Sequence, residues 1–318
     1  MKLLTIDRGP YGHVGAIMPN GEVLDIAALA LVDPAARLVP QTVRGILEVG
    51  PDALDLVKRC IDRAGKLNRE DAHAKLILRA LADTSLLAPI PEPRLILSVG
   101  MNYGRHLKEM SGTPTPTHPT AFIKPMSSLT GSGKPIFVPP QCPDMIDFEG
   151  EFTFVFGKPC HAVTEAEAMD YVAGYTICND VSARNWAPEF FAAKGNFDAI
   201  HSWERNIMGK LLPSFTPCGP VFVTADEIKD PHDLQLTTTL NGQVMQSTKT
   251  DDLIFKLPAQ IAYFSQWYRF SPGDIVTTGS PSGVGFGRKP PVFMEAGDTI
   301  EVEIEGIGKL SNRLAARN

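Results

Sequence analysis

Asp147-Phe148-Glu149-Gly150-Glu151-Phe152 is the stretch on which both fold and chemistry turn. It leads into a run, Glu149 to Phe156, in which Phe152, Phe154 and Phe156 recur at every second position. A period of two belongs to a β-strand, and it puts residues i and i+2 on one face. Glu149 and Glu151 therefore point the same way across Gly150, with Phe148 and Phe152 on the other side. Two carboxylates side by side on a half-buried strand repel each other and resist leaving water. A divalent cation relieves both problems. So does solvation on an open edge, and the motif alone leaves the two readings level.

A third carboxylate tips the balance. Gly174 to Arg184 reads as an apolar strand that ends in Asn179-Asp180, and an acid at a strand end can reach its neighbour's side chains. Oxygens from Glu149, Glu151 and Asp180 would make a hard, oxygen-only site for Mg2+, Mn2+ or Ca2+. Zinc would instead draw on histidine or cysteine.

Upstream, Asn102 to Glu109 follows an apolar strand, Leu95 to Val99. On a short helix His106 and Glu109 stand three apart on one face, so the carboxylate can orient the imidazole and raise its basicity. The loop-like stretch from Ser111 to Pro119 lets the pair ride on a lid. A histidine near a glutamate is also commonplace on surfaces. Lys124 ends the apolar run Phe122-Ile123-Lys124, and Lys210 follows Gly209 in a loop before Pro217-Cys218-Gly219-Pro220. Either would neutralise a substrate carboxylate or an enolate if it lined the pocket, and either alone reads as a solvated lysine. Thr277 to Gly285 is a glycine-rich turn without the Gly-Lys-Ser/Thr ending of a nucleotide loop. Its N–H groups and Ser280 can hold a carboxylate, or it is a plain tight turn.

The rest of the chain is quieter. Its 318 residues are 43 % apolar, enough for a packed core, and its formal charge of −6 with no basic cluster argues against nucleic acid. No apolar stretch is long enough to span a bilayer. Five widely spaced cysteines without a C-x-x-C pair fit a reducing compartment, and the first residues read as a strand rather than a signal peptide. The cytoplasm is the expected location. Residues 1–88 form a small α/β domain: strands at Leu3 to Asp7, Val14 to Met18 and Glu22 to Ile26, then a helix opened by Gly50-Pro51, with Ala53, Val57, Cys60, Ile61 and Ala64 at helical spacing and Gly65 as its cap. The proline-rich joint Pro89 to Arg94 leads into residues 89–318, where short strands prevail and the class is α+β, mainly β. Strands are expected at Asp274 to Thr278 and Thr299 to Ile304. A helix is expected from Glu165 to Val172, capped by Thr164 with Glu167 three residues on.

Taken in order, these pieces resemble the fumarylacetoacetate hydrolase family over about residues 95 to 310. Asn102-Tyr103-x-x-His106-x-x-Glu109 is similar to its lid dyad and Phe122-x-Lys124-Pro125 to its substrate lysine. Asp147-Phe148-Glu149-x-Glu151 and Asn179-Asp180-x-Ser182-Ala183-Arg184 resemble the source of its metal ligands. Gly209-Lys210 through Pro220 resembles the second lysine loop, and Thr278 to Gly285 the substrate-carboxylate loop. The resemblance implies a mixed β-sandwich roll catalytic domain, a homodimer, and Mg2+ or Mn2+. It also implies substrate contacts from Tyr103, Arg184, Gly279 and Ser280. The chain departs from the pattern after Arg184, where Asn185-Trp186-Ala187 replaces a stretch that often holds a glutamine. Ser280 stands where a threonine is common. Ala187 to Met208 is longer than in compact relatives and is expected to reshape the pocket mouth, for a bulkier or aromatic-derived acid.

The expected activity is hydrolysis of a C–C bond in a 2,4-dioxo, acylpyruvate-type acid. His106, oriented by Glu109, takes a proton from water, and Lys124 or Lys210 steadies the oxyanion. The alternative on the same site is decarboxylation or keto–enol isomerisation of a small 2-oxo diacid. A ring-cleaving dioxygenase would want two histidines on iron, and only His106 sits in a suggestive motif. A noncatalytic binding protein is the remaining class.

Overall fold

The computed structural model describes residues 1–9, 11–110 and 114–316. Part of the expected lid loop, residues 111–113, lies outside them. Among the described residues, the frame is a twelve-stranded sheet. From edge to edge it runs Leu78–Arg79, Val23–Asp25, His13–Ile17, Lys2–Ile6, Thr216–Thr224, Val172–Asn179, Gly150–Phe156, Ile275–Thr277, Ile96–Gly100 and Thr120–Lys124. Leu86–Leu87 and Leu129–Gly131 pair with it off this path. A five-stranded sheet, Gln243–Lys249, Gln235–Leu240, Thr299–Ile304, Gly308–Ala316 and Ile136–Val138, packs on one face.

Apolar burial explains the stacking. Phe152, Phe154 and Ile177 of the large sheet share a core with Leu236, Val302, Ile304 and Leu310 of the small one. On the far face Val155, Cys178, Cys218, Phe222 and Ile275 pack with Ala53, Val57 and Cys60 of the helix Pro51–Ala64. The large sheet is thus covered on both sides, and every residue of Gly150–Phe156 is buried. The half-buried strand read from its alternation is corrected to one with no wet face. The helices over the far side come from residues distant in sequence, which strand periodicity does not report. At Gly150 the two sheets lie close together: a Cβ there would lie 2.2 Å from Thr238 Oγ1 and 2.9 Å from a Val302 methyl.

The helix at Pro51–Ala64 starts and stops at Gly50 and Gly65, as its capping residues predict. Lys2–Ile6 pairs with Thr216–Thr224, so residues 1–88 add their strands to the same sheet as the later residues. The helix expected from Glu165 to Val172 does not form. The capping contacts are made, Glu167 Oε2 accepting from Thr164 N at 3.1 Å and Thr164 Oγ1 at 2.7 Å. They close a turn that continues only as the 3-10 segment Ala168–Tyr171. Val172 is claimed by the sheet, opposite Phe156. The segment after Arg184 folds as two helices, Ala187–Phe191 and Asn196–Met208. Among the described residues no helix is long and apolar enough to cross a membrane.

Candidate functional site

Register brings the acids together. Gly150 lies opposite Asn179 and Glu151 opposite Cys178 in the antiparallel pair at the middle of the large sheet. The two chain ends are stitched where they leave the ladder: Glu149 N donates to Asn179 Oδ1 at 2.9 Å, and Asp180 N to Glu149 O at 2.8 Å. One carboxylate oxygen each from Glu149, Glu151 and Asp180 then fall within 4.8 Å of one another, all three residues being buried.

Two buried lysines and the part-buried Arg184 surround them. Lys210 Nζ donates to Glu149 Oε2, Asp180 Oδ2 and Ser182 Oγ, each at 2.7 Å. Lys124 Nζ pairs with Asp180 Oδ1 and donates to the carbonyls of Lys210 at 2.6 Å and Phe215 at 3.2 Å. Arg184 pairs with Glu149 and, through Nε, with Asp147 Oδ2 at 3.0 Å. An ammonium has three N–H bonds to give, so both lysines are fully committed to the protein. Neither is a solvated lysine.

The charges do not balance. Asp147, Glu149, Glu151 and Asp180 face Lys124, Arg184 and Lys210, four acids against three cations in a buried cluster. Burial pushes Glu149 up, but Lys210 and Arg184 outweigh it and hold the acid well below the usual carboxylate range. Glu151 has only neutral donors, the Gly279 N–H at 3.2 Å and the Thr277 hydroxyl. Burial, then the charges of Asp180 and Glu149, push it well above that range. Burial likewise lowers Lys124, while Asp180 and Glu149 lift Lys210 against it. A cluster of anionic oxygens with one acid in surplus fits a hard divalent cation such as Mg2+ or Mn2+.

His106 and Glu109 meet. The helix Gly104–Glu109 carries His106 Nδ1 to 3.3 Å from Glu109 Oε2. The Gly283 N–H donates to both Glu109 oxygens, at 3.2 and 3.1 Å. Two residues on from Gly283, the Gly285 N–H donates to Asp147 Oδ1 at 2.6 Å, so one short loop joins the dyad's carboxylate to the acid cluster. Asn102 anchors the start of this helix: its amide donates to Thr278 O at 2.9 Å and accepts from Phe255 N at 2.8 Å.

The residues expected to touch substrate are occupied within the protein. Arg184 serves Glu149 and Asp147, Gly279 serves Glu151, and Ser280 Oγ accepts from Gln246 Nε2 at 2.9 Å. Tyr103 is wholly buried in the main core, and burial raises its phenol. Two residues escaped the sequence reading. Gln246 lies under the site, accepting from Gly150 N at 3.0 Å, and nothing local in its strand marks it. Asp147 opens the quoted motif but precedes the period-two run, so the alternation carries no signal for it. It is a buried carboxylate that collects four N–H donors.

The model of the fumarylacetoacetate (FAA) hydrolase C-terminal domain matches residues 95–315. A protein of Xenopus laevis called oxaloacetate tautomerase fahd2, mitochondrial, is 36 % identical over 304 residues, covering 95 % of this chain and 86 % of its own. A fumarylacetoacetate hydrolase from psychrophilic Exiguobacterium antarcticum superposes over 100 % of both chains with a TM-score of 0.75 and 29 % identity. Maleylpyruvate hydrolase from Sphingobium sp. SYK-6, solved with manganese(II) and pyruvate, does so with a TM-score of 0.74 and 27 % identity. With the matched domain spanning most of its length and a relative aligned along nearly all of it, this chain belongs to the fumarylacetoacetate hydrolase family.

Proposed function

We propose that this chain is a divalent-metal-dependent enzyme that interconverts the keto and enol forms of a small 2-oxo diacid of the oxaloacetate kind. The observation that carries the reading is the buried Glu149–Glu151–Asp180 group with one acid in excess of its cations. Likeness to an oxaloacetate tautomerase along nearly the whole chain favours this reaction over the C–C hydrolysis expected first. Glu149, Glu151 and Asp180 would hold Mg2+ or Mn2+, which supplies a Lewis acid that polarises a 2-oxo group and shares the charge of its enolate.

The chain's own residues do the rest. Glu109 holds His106 by Nδ1, which leaves Nε2 to take a proton from the carbon beside the 2-oxo group and return it. Isomerisation needs no water, only a proton carried between carbon and oxygen. Lys210 and Lys124 hold Asp180 in place, one on each carboxylate oxygen. Hydrolysis of an acylpyruvate stays as the second reading, because an oriented imidazole also suits water activation and maleylpyruvate hydrolase has a similar fold.

Supplying enol-oxaloacetate with Mn2+ is expected to give ketonisation well above the buffer rate, lost with chelator and regained with Mn2+. Pyruvate and a free acid from an acylpyruvate at the greater kcat/KM would replace this reading by hydrolysis. Carbon dioxide as the main product from oxaloacetate would replace it by decarboxylation. In either assay Glu109→Gln is expected to lower kcat about 10²-fold or more, as for other positioned acid–base groups.

A further inference from the structure

The link between dyad and acids is a bracket of glycine-rich backbone, and Asp147 is its joint. This buried carboxylate accepts from Phe148 N at 2.9 Å and Gly285 N at 2.6 Å on Oδ1. On Oδ2 it accepts from Arg184 Nε at 3.0 Å and Phe286 N at 3.3 Å. Arg184 in turn grips Glu149. Two residues before Gly285, the Gly283 N–H grips Glu109, which meets His106. One short loop thus holds the base at one end and, through Asp147 and Arg184, a metal-ligand candidate at the other.

The loop is closely fitted. A Cβ at Gly285 would lie 1.8 Å from Val292 O and 2.7 Å from Asp147 Oδ1; one at Gly283, where φ is +98°, would lie 2.2 Å from Met245 O. Arg288 Nη1 ties the loop down by donating to Met245 O at 3.0 Å and Gly283 O at 3.2 Å. The 187–208 segment braces it, the Phe191 ring lying nearly parallel to Phe286 with centroids 6.2 Å apart and 13° between planes.

We propose that Asp147 is a positioning residue that sets His106–Glu109 and Glu149 in one frame through the 283–286 loop; this rests on Glu149 being a metal ligand. A carboxylate offers acceptors on both oxygens, and all four donors use them. An asparagine of the same shape must turn its NH2 toward one pair of donors, so one end of the bracket comes free. A role limited to neutralising Arg184 would need the charge but not the placement of both oxygens.

The test measures Mn2+ binding by calorimetry, and kcat and KM with oxaloacetate, well below the melting temperature. Wild type must bind one Mn2+; if it binds none, the functional reading fails and this inference falls with it, whereas the outcomes below overturn the inference alone. Asp147→Asn is expected to weaken Mn2+ binding and lower kcat, each about 10–100-fold, with KM little changed. Combined with Glu109→Gln it should lose less than the product of the two single losses, because both break one frame. Asp147→Glu is the second variant, useful if the first does not fold. It keeps the charge but shifts the oxygens by a methylene, and it too should lose kcat. The inference is overturned if Asp147→Asn stays within twofold of wild type in both readouts, if its loss multiplies with that of Glu109→Gln, or if Asp147→Glu restores wild-type kcat.

Discussion

Glu151→Gln is expected to abolish Mn2+ binding and cut activity about a thousandfold, yet leave the chelator-treated protein as stable as wild type or more so. The first half follows from losing one of three anionic ligands. Lewis-acid stabilisation is worth several kcal/mol, and each 1.4 kcal/mol is a factor of ten. The second half follows from the charge count. Glu151 is the surplus acid, pushed up by burial and by Asp180 and Glu149 with no cation of its own. Its amide replacement keeps the shape and removes the repulsion. The sign of the pH effect is fixed by that raised pKa. Below the ordinary value near 4.5 both folded and unfolded chains carry the proton. Above it the unfolded chain releases the proton while the folded chain keeps it, so stability falls as pH climbs toward the raised value. Metal-free wild type should lose melting temperature as pH rises above the ordinary carboxylate range, a trend that Glu151→Gln flattens. Mn2+ at a hundred times its dissociation constant should stabilise wild type by about 2.7 kcal/mol and the variant not at all. Thermal melts across pH, with and without Mn2+, read both halves. A variant that melts lower than wild type in chelator, or still gains from Mn2+, contradicts the assignment.

The acids were legible because their signal is local. A period of two puts Glu149 and Glu151 on one side, and an Asn-Asp at a strand end can meet them if the strands are neighbours, as the pairing of Gly150 with Asn179 makes them. The His106–Glu109 pair was legible for the same reason, three residues on one short helix. What failed to show was anything set by residues far apart. Lys124 looked like any strand-end lysine; its burial depends on carbonyls 86 and 91 residues away. Asp147 gained its importance from a loop 138 residues on. The Thr164–Glu167 contacts were foreseen and formed, but Val172 had a partner strand that local capping could not outbid. The partners that Arg184, Gly279 and Ser280 find within the protein, Glu149, Glu151 and Gln246, likewise come from other parts of the chain.

Asp180→Asn should lose the metal as surely as Glu151→Gln does, and should move stability the opposite way. Asp180 is the acid shared by the two lysines, bonded to Lys124 through one oxygen and to Lys210 through the other. Lys124 has no exposed side-chain surface, and its remaining partners are neutral carbonyls. Lys210 would keep Glu149 and Ser182. Removing one partner of a buried ion pair typically costs about 3–5 kcal/mol, because the other charge is left unpaired in a poor solvent. Lys124 has a way out, and it predicts the pH dependence. Burial already lowers its pKa against the pull of Asp180, and without that acid the folded value drops further. A lysine lowered on folding binds fewer protons folded than unfolded, so stability rises with pH through that window. The deficit of Asp180→Asn should therefore shrink in alkaline buffer, whereas loss of packing alone would leave it constant. Urea unfolding of both proteins in chelator, at neutral and alkaline pH, measures this. A variant as stable as wild type at neutral pH would mean that Asp180 is not what keeps Lys124 charged inside the sheet.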